Sequence, residues 1–204
     1  MLEALTGTGL AASAGLNAYI PLLTMGLLAR YTDTIDLPTG WSWLSNGWTL
    51  LILALLLAIE VVADKVPVVD HVNDVVQTVV RPTAGGLAFG AGSSSETVTV
   101  SDPGSFFSSH QWVPIAAGVV IALVVHGVKA ASRPVVNTTT AGFGAPVAST
   151  VEDIGSVLMS VLAILLPVLV LVGLVLLVFA GGWVVRRRRR RRALSGSGAR
   201  QLFG

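Results

Sequence analysis

Apolar and polar positions fall along this chain in long blocks. Residues 9 to 29 form a first apolar segment rich in small residues and closed by Arg30. A polar stretch, 31 to 47, holds Asp33, Asp36, Pro38, Trp41 and Trp43. Trp48 then opens a second apolar block, Leu50 to about Ala63, which carries Glu60 and runs into Asp64, Lys65 and Pro67. A third runs from Trp112 to about Val128, with His126 inside it and Lys129 and Arg133 at its end. A fourth runs from Val157 to Val185. The hydrocarbon core of a bilayer takes about 20 helical residues to cross, so the blocks predict four membrane helices, the second of them short.

Between these blocks the period changes. Valines at 68, 69, 72, 75, 76, 79 and 80 alternate with Asp70, Asn73, Asp74, Gln77 and Arg81 at helical spacing, which predicts an amphipathic helix. The following Pro82 to Gly92 is too glycine-rich for an ordinary span but tolerable where it packs on protein or lines a cavity. Ser93 to Gln111 has acids, a Pro-Gly pair and no Lys or Arg, and reads as an outer loop. Pro134 to Pro146 is again polar and glycine-bearing and closes at Glu152 and Asp153.

Charge orients the blocks. Arg186, Arg187, Arg188, Arg189, Arg190, Arg191 and Arg192 follow the last block directly and are seven of the thirteen basic residues. Basic residues beside a span stay cytoplasmic, and near a bilayer each attracts anionic lipid by roughly 1 kcal/mol. Residues 186–204 are expected to be a disordered cytoplasmic tail on a single transmembrane domain, 1–185. Counting back places Glu152 and Asp153 outside. If segments 67–92 and 134–152 both cross, Lys65, Lys129 and Arg133 fall inside, the Trp-rich and Ser-rich loops outside and the N-terminus inside. The expected fold is therefore all-α, with about six membrane segments in the cytoplasmic membrane. Four are strongly apolar and two are short, Gly/Pro-interrupted or re-entrant. Both termini are expected in the cytoplasm.

A weak repeat fits this arrangement. Pro67-Val-Val-Asp70 and Pro134-Val-Val-Asn137 each follow a basic residue and precede a Thr-Ala-Gly, at Thr83 and Thr140, with Ser13-Ala14-Gly15 as a third copy. Repeated helical hairpins with interrupted helices are typical of transporters.

Composition narrows the rest. The chain is 53% hydrophobic and only 12% charged, against about 25% charged in soluble domains. With no cysteine, disulfides, thiolate metal sites and thiol nucleophiles are excluded. Met1-Leu-Glu-Ala puts an acid where a signal peptide carries base, so no cleavage is expected. Histidines His71, His110 and His126 are scattered, and no metalloprotease, nucleophile-elbow or phosphate-loop motif occurs, so catalysis, cofactor and metal are not expected.

Polar side chains inside the apolar blocks are the candidates for chemistry. A charge at the bilayer centre costs at least about 2.5–3.5 kcal/mol, so such groups face one another, a cavity or an interface. Glu60 and Asp64 share one helix face, and His126, Lys129 and Arg133 another. With Asn17, Asp70, Asn73, Asp74 and Asn137 the acids and His126 outline a polar pathway. Lys129, Arg133 and the tail arginines are expected to contact inner-surface lipid. A solvated interfacial face gives the same pattern on 70–77, and ion pairs that merely hold helices together give it at Glu60. Gly86 to Gly90 and Ala11 to Gly15 are spaced for close helix packing. Expected partners are the bilayer, anionic headgroups and, as an open option, further copies of the chain, with no nucleic acid.

Gly15-Leu-Asn-Ala-Tyr-Ile-Pro21, Asp64-Lys-Val-Pro-Val-Val-Asp70 and Arg133-Pro-Val-Val-Asn137 through Thr140-Ala-Gly-Phe-Gly-Ala-Pro146 together resemble a bacterial multi-pass membrane family catalogued as a domain of unknown function. The resemblance covers roughly residues 5 to 180 and omits the arginine tail. It implies an integral membrane protein and assigns no site. The expected function is a small transporter or channel-like protein for an ion or small solute. The alternative is a non-transporting scaffold whose polar cluster is structural.

Overall fold

The computed structural model describes residues 1–65, 67–93, 110, 112–140, 143–170, 172, 173, 175 and 179. The chain divides into two compact units, Met1–Val170 and Leu171–Gly204. The arginine run and the tail lie outside the described residues. Everything below concerns the first unit.

Among the described residues every regular element is helical. The helices are α1 (Leu2–Leu16), α2 (Tyr19–Tyr31), α3 (Gly47–Ala63), α4 (Pro67–Gly92), α5 (Trp112–Thr140) and α6 (Gly144–Leu165), with a 3-10 turn at Thr39–Ser45 before α3. Two of them, α5 and α6, are long and apolar enough to cross a membrane. The 3-10 turn and α3, bent at 61°, make a third if taken as one span.

Local chemistry sets the ends. The Asn46 side chain accepts from the Trp48 amide at 2.9 Å and so caps α3, whose leucine-rich body is built from strong helix formers. Pro67 opens α4, where its missing N–H removes nothing from the helical ladder. Leu166, with φ −140° and ψ 67°, ends α6 because Pro167 disfavours helical geometry in the residue before it.

Four expectations are corrected here. The glycine-rich stretch after Val80 does not interrupt α4, which runs unbroken through Pro82 to Gly92. Its glycines are matched by close packing: Gly85 lies against Gly118 and Ala122, Gly86 against Ile115 and Val119, and Gly90 against Trp41. Second, α5 passes through Pro134 to Thr140. Thr138, Thr139 and Thr140 return their hydroxyls to the carbonyls of Pro134, Val135 and Val136 at 2.8, 2.7 and 2.7 Å, which satisfies hydroxyls that make the stretch polar in sequence. Third, the last apolar helix begins at Gly144, so Glu152 and Asp153 lie in mid-helix. Fourth, the first segment is not one continuous helix, because it breaks at Asn17, whose backbone is extended.

The direction of each helix follows from what meets what. Gly7 lies against Phe89 and Gly92 against Leu10, while the far end of α1 reaches Lys129 of α5, so α1 runs antiparallel to α4. Glu60 pairs with Arg81 and Trp41 with Gly90, so α3 also runs antiparallel to α4. Arg30 donates to the Ser45 carbonyl at 2.9 Å, and Gly26 lies against Leu44 and Leu50, so α2 runs antiparallel to α3. It follows that α2 returns against the direction of α1. Residues 2–31 form a V whose tip is Asn17-Ala18 and whose two open ends share one side of the bundle.

The small-residue triplets do not mark equivalent hairpins. Ser13-Ala14-Gly15 and Thr83-Ala84-Gly85 both place their glycine on Ala122 of α5. Ala141 and Gly142 of the third triplet lie outside the described residues. Pro67 starts a helix, whereas Pro134 sits inside one.

Candidate functional site

Every helix brings polar side chains to one level of the bundle, at the tip of the V. The tip exposes two broken helix ends, whose free backbone groups need partners. Asn17 supplies one set: its Oδ1 accepts from the Tyr19 and Ile20 amides at 3.1 and 3.3 Å, capping α2. Lys129 supplies the other, its Nζ donating to the Leu16 carbonyl at 3.1 Å, where a cation suits the negative end of α1. Asn17 Nδ2 also donates to Asp153 Oδ1 at 3.0 Å.

Asp64, at the end of α3, is the hub. It takes Lys129 at 3.1 Å, with Arg81 at 3.6 Å and Arg133 at 3.7 Å, and accepts from Asn73 Nδ2 at 2.7 Å. One turn earlier Glu60 Oε1 accepts from Arg81 Nη2 at 2.8 Å. On the α6 side Glu152 holds Arg133 at 2.6 Å and Lys129 at 3.1 Å, and Lys65 reaches Asp153 at 3.9 Å. Arg81 is 0%, Asp64 1% and Glu60 2% exposed. Above this layer Ser13 Oγ meets Ser156 Oγ and Ser160 Oγ, each at 2.7 Å.

The proton on His126 can be placed. Arg81 Nη1 lies 3.0 Å from His126 Nδ1. A guanidinium has only donors, so Nδ1 is the acceptor and the ring proton sits on Nε2, which donates to Thr78 Oγ1 at 3.2 Å. His126 is therefore neutral here. The Thr78 hydroxyl in turn donates to the Asp74 backbone carbonyl at 2.9 Å.

The structure joins Asn17, Glu60, Asp64, Asn73 and His126 of the anticipated pathway in one network, with Asp74 beside it. Asp70 and Asn137 lie on α4 and α5, but their side chains lie outside the described residues. Lys129 and Arg133 do not reach the lipid surface: they are 4% and 3% exposed and paired inward. Glu152 and Asp153 are not on the opposite side from Arg133, since a 2.6 Å ion pair joins Arg133 to Glu152. Arg81, Glu152 and Asp153 join the site without having been candidates in the sequence. One signal pointed to Arg81: Arg81-Pro82 and Arg133-Pro134 are the same dipeptide inside two helices.

Charges nearly cancel. Lys65, Arg81, Lys129 and Arg133 give four positive charges and Glu60, Asp64, Glu152 and Asp153 four negative ones; Asp74 is a fifth acid. Among the described residues no three His, Asp or Glu side chains converge on a metal-binding point. Several buried atoms lack a hydrogen-bond partner, among them Glu60 Oε2, Asp74 Oδ1, Gln77 Oε1 and Arg81 Nε. Such atoms are rare in folded proteins.

The model of a family described as Domain of unknown function (DUF4126) matches residues 4–187. No curated protein and no solved structure matches the chain.

Proposed function

Because this chain belongs to the DUF4126 family, whose description names no activity, we propose from its own geometry that it is a small transporter or channel-like protein for an ion or small solute. One observation carries the reading: a helical hairpin folds back on itself and sets its tip, with both broken helix ends, against a buried ionic network. Broken helices are tolerated at membrane depth where they line a cavity or pack on protein, and they form the ion and substrate sites of many transporters.

The proposed setting is the cytoplasmic membrane, with six segments of which the first is re-entrant and five cross. With the α3–α4 turn at Lys65 inside, the Trp-rich turn and residues 93–111 fall outside. On this proposal the N-terminus lies outside too, on the side opposite to the sequence expectation. The positive-inside bias puts the seven arginines, Arg186 to Arg192, in the cytoplasm. Arg30 alone remains outside against that bias, and it is bonded to Ser45.

The scaffold reading has its own support, namely that four cations and four carboxylates pair almost completely with one another. Flux separates the two. Proteoliposomes containing the protein should exceed empty liposomes for at least one cation, anion or small metabolite. Equality across all three classes, with the protein inserted and folded, leaves the scaffold.

A further inference from the structure

We propose that the ionic network holds one exchangeable proton, on Glu60 Oε2, and that this proton is the species coupled to the transport reading on which the inference rests for its role. Three observations meet at this oxygen. Glu60 is 2% exposed and only one of its oxygens has a partner; Oε2 is buried with none. Gln77, also 2% exposed, buries an Oε1 that has no donor. It lies one turn before Arg81, the partner of Glu60, on α4, and its side chain is hydrogen-bonded to Tyr19 of α2. The network, finally, has five acids against four bases once Asp74 is counted.

Each of these buried acceptors lacks a donor. A proton from water adds to the Oε2 lone pair, turning the carboxylate into a carboxylic acid, and the new O–H donates to Gln77 Oε1. Both atoms are then satisfied and the network becomes neutral. Arg81 keeps its bond to Oε1, now of a neutral group, and its charge is balanced by Asp64 at 3.6 Å. His126 is the wrong place for the proton, because a proton on Nδ1 would point at the Arg81 guanidinium 3.0 Å away. The charged and titratable groups around Glu60 are Arg81 of α4, Asp64 of its own helix, Lys129 of α5 and Tyr19 of α2.

The test is an infrared pH titration of the full chain in lipid nanodiscs over about pH 5 to 9, the range in which a buried acid of this kind can titrate. A protonated-carboxyl band should appear as pH falls, vanish in Glu60→Gln, and in Gln77→Leu move to lower pH by about one unit, the tenfold loss expected for one hydrogen bond to the acid form. Gln77→Leu keeps the test alive if Glu60→Gln does not fold. A band that survives Glu60→Gln, or is unmoved in Gln77→Leu, overturns the proposal. So does a spectrum that responds to sodium at fixed pH and not to pH. Proton flux in proteoliposomes is read separately. Titration without flux of any solute keeps the proton site and sinks the transport reading, whereas flux without titration does the reverse.

Discussion

Asn17 ties the tip of the first hairpin to the middle of the last described helix, its Nδ2 donating to Asp153 Oδ1 at 3.0 Å while its Oδ1 caps α2. One side chain thus starts a helix, reaches across to another and neutralises none of the charge it touches. Only an amide can do this, since it offers a donor and an acceptor on the same planar group.

Asn17→Asp should therefore be worse than Asn17→Ala. The alanine loses the cap, about 1 kcal/mol, together with the Asp153 partner. The aspartate keeps the cap and sets a second carboxylate against Asp153. Thermal unfolding in detergent is expected to rank wild type above Ala above Asp. An Asp variant as stable as wild type would mean that the Asn17–Asp153 contact does not form.

Cysteine labelling checks the V directly, and the chain has no native cysteine to remove. Single cysteines at Glu3 and Ser42 should react with an impermeant thiol reagent from the same side of the membrane, and one at Lys65 from the other. Glu3 and Ser42 reacting from opposite sides would restore a single crossing over 9–29.

Breaking the Arg133–Glu152 pair is expected to destabilise strongly. Removal of one partner of a buried pair typically costs about 3–5 kcal/mol. Arg133→Ala and Glu152→Ala should each do so, and the double variant should cost less than the two together. Additive losses in a denaturant cycle would argue that the two side chains do not meet.

Two glycines should respond in opposite directions. A Cβ at Gly15 would lie 2.6 Å from Val125 Cβ and 2.7 Å from the Ala122 carbonyl oxygen, so Gly15→Ala should force α1 from α5 and lower the melting temperature. At Gly127 a Cβ meets nothing within 4 Å, and Gly127→Ala should stabilise by up to about 1 kcal/mol through helix propensity.

Helix α4 marks the boundary of what the sequence makes legible. Its two faces are plain in the spacing of valines and polar residues, and both were correctly placed on one helix. Which face turns inward is not a property of the spacing. In water the valines would be buried; here Val72, Val75 and Val79 are exposed and Gln77 and Arg81 buried, the arrangement expected when the surrounding solvent is apolar. The spacing marks Asp70, Asn73 and Asp74 of the polar stripe as candidates but does not show that Arg81 and Gln77 lie buried on it. The break at Asn17 was hidden for a different reason. Residues 9–29 are apolar throughout, and a helix that turns back among other helices has the same composition as one that continues. Glu152 and Asp153 were misplaced because the arginine tail fixed a direction but not the residue at which α6 begins.

Pro82 and Pro134 each follow an arginine of the network directly, inside α4 and α5. Neither can donate a backbone N–H, so the carbonyls of Thr78 and Ala130, four residues earlier, receive no rung from the helical ladder. Both helices thus have their least resistance to bending at the depth where their charges are clamped.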